Sequence, residues 1–152
     1  MTENLIIGCV TMAVCLSIQC VIVGALLDAL VFLEKRGLIR NTLFGVSSLL
    51  VAVMLIMLAG NLIQITLWAW LFLAYGEFKD IATAFYHSVV NFATLGYGDI
   101  VMSEKRRLLG ALEAANGVLM FGLTTGFLYT ILSGMLERYW EEQTGQGVES
   151  ER

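Results

Sequence analysis

The sequence predicts an all-α membrane protein with three transmembrane helices and one shorter, re-entrant helix. Three observations support this. Hydrophobic residues fill 58% of the 152 positions, charged residues only 14%, and proline is absent; mean hydropathy is +0.78, far from a soluble domain. Three nearly uninterrupted apolar stretches, residues 5–33, 42–75 and 108–136, each exceed the ~20 residues a spanning helix needs. Between the last two, residues 81–93 form an amphipathic stretch too short to span, with Asp80 placed as its N-cap. A chain this short encloses little by itself, so a function needing a water-filled path implies several copies.

Charge excludes several classes of function. The net charge of −4 reflects an acidic tail (Glu137, Glu141, Glu142, Glu149, Glu151), and nothing is basic enough for nucleic acid. No helix carries arginines at every third position, and the 137–152 tail is short and polar. Voltage sensing and gating by an attached ligand-binding domain therefore have no support in this chain. Cys9, Cys15 and Cys20 share the first apolar stretch, where a disulfide network has no geometric rationale; they read as small lipid- or helix-facing residues.

Residues 1–4 lack the basic start of a cleavable signal, and 5–33 is long for a signal core, so this stretch reads as a permanent helix. Asp28 is its one charge and reads as an interfacial carboxylate near Lys35 and Arg36. The helix is expected to pack peripherally on an outer helix, its own or a neighbouring copy's, through small residues such as Gly8, Ala13, Ser17 and Gly24. The following loop carries Lys35, Arg36 and Arg40, while Lys79, Lys105, Arg106 and Arg107 fall on the other side, so charge alone does not orient the chain. In 42–75, Trp68, Trp70 and Tyr75 read as an interfacial belt. Asn61 and Gln64, on one face, read as hydrogen-bonding to a neighbouring helix. Three units follow: 1–41, the first helix and loop; 42–136, the central module; and the 137–152 tail.

The central module carries Thr94-Leu95-Gly96-Tyr97-Gly98-Asp99. Two glycines one residue apart let a backbone run extended with successive carbonyls turned the same way. Rings of such carbonyls from several chains can replace the hydration shell of a monovalent cation. These six residues, with a short helix before them and a long apolar helix after, resemble the selectivity filter of the potassium-channel superfamily, over roughly residues 43–136. The resemblance implies a homotetramer in a cell membrane, plasma or inner, with potassium bound at Thr94, Leu95, Gly96 and Tyr97 and Gly98 completing the filter. It implies passive conduction without enzymatic activity, no cofactor beyond the permeant ion, and lipid and its own copies as partners. It also implies an amino terminus outside and a cytoplasmic carboxyl terminus, because that filter opens outward. The short helix would point its partly negative carboxyl end, about half an elementary charge, at the pore axis.

Further roles come from the same resemblance. Tyr86 and His87 stand where the family carries an aromatic pair bracing the filter. His87 has two readings, a structural one with a nitrogen bonded to Tyr97 or to a neighbour's backbone, and a proton sensor. Asp99 would pair with Tyr86 or a backbone amide. Gly117 resembles a hinge glycine, and Val118, Phe121, Thr125, Tyr129 and Ser133 form a cavity-lining stripe. Glu113 is expected on that stripe, one turn above Gly117, bonded behind the filter to Asn91, Asn116 or a backbone amide.

The sequence departs from the pattern at Val90, where some simple bacterial members carry a glutamate, and at Ala93, where a threonine is usual. It also departs at Ile100, Val101, Met102 and Ser103, which bring no proline to the outer mouth. Leu95 and Ala93 keep open a weakly selective cation channel, and a non-conducting membrane subunit is the reading outside the class. Gly96-x-Gly98 is no dinucleotide fingerprint, because the third glycine, the preceding strand and the downstream acid are missing.

Overall fold

The computed structural model describes residues 1–37 and 43–144. Arg40 and the tail carboxylates Glu149 and Glu151 lie outside the described residues, as do the side chains of Glu141 and Glu142. Four helices follow in order: α1 Thr2–Lys35, α2 Leu43–Ala74, α3 Ile81–Phe92 and α4 Arg107–Thr144. Among the described residues there is no strand. The three long helices are apolar and long enough to cross a membrane. At 1.5 Å per residue α1 is roughly 50 Å long, more than the ~30 Å hydrocarbon layer. Residues such as Ile6, Val10, Val21, Val51 and Leu55 are exposed, as befits helices whose outer faces meet lipid.

Local chemistry ends and starts these helices where the chain must turn. Gly76, at φ +71°, closes α2: its N–H bonds Leu73 O, and Glu77 N–H bonds Phe72 O, both at 3.0 Å, the pairing of a Schellman motif. Asp80 then caps α3, its Oδ1 accepting from Thr83 N and its Oδ2 from Thr83 Oγ1, each at 2.8 Å. α4 runs to Thr144, two turns past the predicted end at Leu136. Its polar last turns, free of glycine and proline until the end, simply continue the helix beyond the apolar span.

α1 packs along α4 as well as α2, which corrects the expected docking on an outer helix alone. Its buried residues Asn4, Gly8, Thr11, Cys15, Gln19 and Leu26 step by threes and fours and finally by a full seven, the seam of a helix in a left-handed bundle. Of the small residues expected there only Gly8 belongs, and a Cβ on it would strike Leu112 of α4. Ala13, Ser17 and Gly24 are exposed. The polar side chains decide the face, since those groups need partners at membrane depth. Gln64 Nε2 donates to Gln19 Oε1 at 2.8 Å, and Gln19 Nε2 reaches Met57 Sδ at 3.2 Å. Gly60 lets the helices close there, with Ile22 Cδ1 only 2.6 Å from where its Cβ would stand. Asp28 is exposed, and Arg36, expected near it, lies over the Phe32 ring at 4.4 Å.

Two apolar cores stack along the bundle. One joins Cys15, Ile65, Trp68, Phe72, Phe92, Leu109 and Met120 and holds α3 against α2 and α4. The other joins Leu26, Val53, Met57 and Phe127 further along. Trp68, predicted as a belt residue, is fully buried in the first core, its ring 5.8 Å from Phe72 one turn on. Trp70, two residues away on the opposite face, is exposed.

Candidate functional site

Beyond Phe92 the chain leaves α3 through Ala93 and doubles back beside the helix. Thr94 N–H bonds Asn91 O at 2.8 Å and Leu95 N–H bonds Val90 O at 2.9 Å. From there the backbone alternates in hand. Thr94, Gly96 and Gly98 have φ of 58°, 55° and 73°, while Leu95 and Tyr97 keep the ordinary negative sign. In a plain strand, successive carbonyls point to opposite sides; reversing φ at every second residue turns them to the same side. Glycine takes this backbone freely, but a β-branched threonine at positive φ is strained and persists only where the surrounding structure holds it there. All of Thr94 to Asp99 is exposed on the single chain, Leu95 by 52% and Tyr97 by 65%.

The returning arm is tied to α3. Tyr86 Oη–H donates to Asp99 Oδ2 at 2.7 Å, and Ile100 N–H donates to Asp99 Oδ1 at 3.0 Å. The tyrosine bond holds the Asp99 carboxyl below its ordinary pKa and raises that of Tyr86. Because the folded value is depressed, the bond contributes above the ordinary carboxylate range and is lost as pH falls through the lowered value. Tyr86→Phe is therefore expected to move the acid-side loss of the folded turn upward in pH, toward the ordinary aspartate value. Thermal melts from pH 6 downward check this; identical acid limbs for variant and parent would contradict it.

His87 is nearly buried, with Phe72 and Phe78 rings at 5.7 and 4.8 Å. Its Nδ1 lies 3.1 Å from Ile100 O and its Nε2 2.8 Å from Asn91 Nδ2. A carbonyl at Nδ1 and an amide donor at Nε2 together select the neutral tautomer protonated at Nδ1. Burial, the larger influence, lowers its pKa against the opposing Ile100 carbonyl and the Asp99 and Glu77 charges. Neither nitrogen bonds Tyr97, one of the partners expected from sequence.

A family model described as ion channel matches residues 53–134, more than half of the chain. The chain belongs to that ion-channel family. No curated protein and no solved structure matches it.

In this ion channel, α4 presents two faces that the sequence reading merged into one. Leu109, Glu113, Asn116, Gly117, Met120 and Phe127 are buried against the rest of the chain. Val118, Phe121, Thr125 and Tyr129 are exposed on the single chain, and Ser133 is half-buried. At about 100° per residue the two sets are centred nearly half a turn apart. Glu113 and Gly117 thus leave the predicted stripe. Gly117 is where α4 crosses the carboxyl end of α3, for any Cβ there would run into Phe92 O.

Glu113 is fully buried, as the last turn before that crossing requires. Ser88 and Asn91 of α3 are its polar neighbours, yet neither carboxyl oxygen makes a hydrogen bond. Ser88 Oγ, both amide atoms of Asn116 and Trp68 Nε1 are likewise unpartnered. The geometry therefore places Glu113 against Ser88 and Asn91 of α3, without the alternative bond to Asn116.

Two clamps on the arm that follows Asp99 escaped the sequence reading: Glu77 on Ser103, and Asn4 with Glu3 on Arg106. Helical phase could have singled out Arg106 among three consecutive basic residues, because it shares a face with Leu109 and Glu113.

Proposed function

We propose that four copies of this chain form a potassium-selective channel, with Thr94, Leu95, Gly96 and Tyr97 of each copy lining the axis as ion sites and Gly98 closing the filter. The alternating hand of the backbone over 94–98 carries this reading, since it turns successive carbonyls one way, as replacement of a cation's hydration shell demands. One chain supplies only one side of such a ring. The exposed Leu95, Tyr97, Val118, Phe121 and Tyr129 are surfaces that further copies and a central cavity would occupy. Conduction is passive, driven by the potassium gradient, without catalysis. Thr94 offers its hydroxyl at the innermost site, and the carboxyl end of α3 favours a cation below it.

Tyr86, Asp99 and His87 hold the arm of the filter, and Glu113 backs it. Val118, Phe121, Thr125, Tyr129 and Ser133 line the cavity, and Gly117 sets the crossing that keeps α4 in place. α3 enters the membrane and the filter arm returns to the same side. The start of α1, the end of α2 and the start of α4 meet at that side through Asn4, Tyr75 and Arg106. With a filter opening outward, the amino terminus lies outside the cell membrane and the carboxyl terminus in the cytoplasm.

Purified protein in liposomes tests the proposal. Potassium flux is expected from the parent, with a tetrameric mass in detergent. Gly96→Ala, which forces a side chain onto backbone at φ +55°, is expected to abolish flux and leave the assembly intact. A monomeric parent, or undiminished flux from Gly96→Ala, would count against the filter assignment.

A further inference from the structure

Residues 100–106, which leave the filter, hold no proline, yet other helices grip this arm in two places. Ser103 donates to Glu77 from both its N–H and its hydroxyl, at 2.8 Å each, so the turn between α2 and α3 fixes its middle. The second grip comes from the first turn of α1. Asn4 Nδ2 donates to Lys105 O, while Asn4 Oδ1 accepts from Arg106 Nη1 at 2.7 Å. One amide thus holds the backbone of one residue and the side chain of the next.

Arg106 is only 8% exposed. Its guanidinium lies over the Tyr75 ring at 4.1 Å, and both terminal nitrogens donate to Glu3 Oε1 at 3.3 Å. A planar fork that stacks on an aromatic ring while bonding two acceptors is a task that lysine, a compact point charge, does not reproduce. The buried fork therefore joins α1, α2 and the start of α4 at the level of the filter mouth.

We infer that Asn4 and Arg106 are positioning residues for conduction, so that the first turn of α1 is part of the support of the filter mouth. This rests on the channel reading above. Neither residue touches an ion. They fix the far end of the 100–106 arm, whose near end holds Asp99 and Ile100 against Tyr86 and His87. Releasing the far end lets that near end move, and the carbonyl ladder loses its register.

Planar-bilayer recording of the purified parent, Asn4→Ala, Arg106→Lys and Asp28→Asn tests this. Both cluster variants are expected to assemble like the parent while the conducting fraction of time falls about tenfold, the scale of one lost hydrogen bond to a charged group. Raising potassium on the mouth side should restore much of it, because a bound ion stabilises the conformation that binds it. A merely structural role would not show that rescue. Asp28→Asn, exposed and far along α1, should record like the parent. Cluster variants that conduct like the parent would overturn the inference, as would current lost in step with assembly and not rescued by potassium. A silent parent would overturn the channel reading itself, and this inference with it.

Discussion

Gly117→Ala is expected to cut the yield of assembled protein sharply and to lower its melting temperature. The added methyl would meet Phe92 O, a backbone atom at the end of α3, not the tip of a flexible side chain. Phe92 cannot retreat easily: it is fully buried, and its ring already meets Phe121 edge-on at 5.7 Å. Overpacking of this kind costs about 1 to 3 kcal/mol even where side chains can shift, so a backbone clash belongs at or above the upper end. A hinge glycine in open space makes the opposite prediction, normal assembly with altered opening. Thermal melts and size-exclusion profiles separate the two. A Gly117→Ala protein that assembles and melts like the parent would contradict the close-packing account.

Glu113→Ala is the second substitution with a large expected effect, a loss of about 1 to 3 kcal/mol from leaving buried polar neighbours stranded around a void. Ser88 and Asn91 of α3 are the carboxyl's polar neighbours. Removing it leaves Ser88, whose hydroxyl has no other partner, facing a void at membrane depth, while Asn91 keeps its contact with His87. Glu113→Gln keeps volume and hydrogen-bonding capacity without an ionisable group, and is expected to stay close to the parent in stability and conduction. If alanine and glutamine variants both assemble and conduct like the parent, Glu113 does not back the filter.

How far such roles could be read before the fold was known depends on where the constraint lies. The spans were legible because a bilayer imposes length and hydropathy on every residue of a stretch. Asp80 was legible because capping is local, requiring only a carboxylate one residue before an amphipathic run. The handedness at Gly96 and Gly98 could be anticipated from glycine spacing. Nothing in the sequence predicted the same backbone at Thr94, which is imposed by its neighbours against its own preference.

What failed were statements of helix phase. Gly117 lies one turn from Phe121 and only about 40° from it around the helix, whereas Glu113 lies about 140° from the centre of the exposed stripe, so a stripe drawn from spacing alone joined two faces. Trp68 was assigned by residue type, whereas its depth follows from facing Phe72 and Cys15. The seam of α1 was sought among its smallest residues, although Asn4 and Gln19 set it through their need for partners on other helices. Arg106 and Glu3 stand about a hundred positions apart, and only the parallel run of α1 and α4 away from a shared end brings them together.

The most direct test of the central claim is the reversal potential of the purified protein in a planar bilayer with potassium on one side and sodium on the other. A filter built from the carbonyls of Thr94 to Tyr97 predicts a reversal potential displaced far toward the potassium equilibrium value. A reversal near zero would show that the pore does not distinguish the two ions, and would contradict the account.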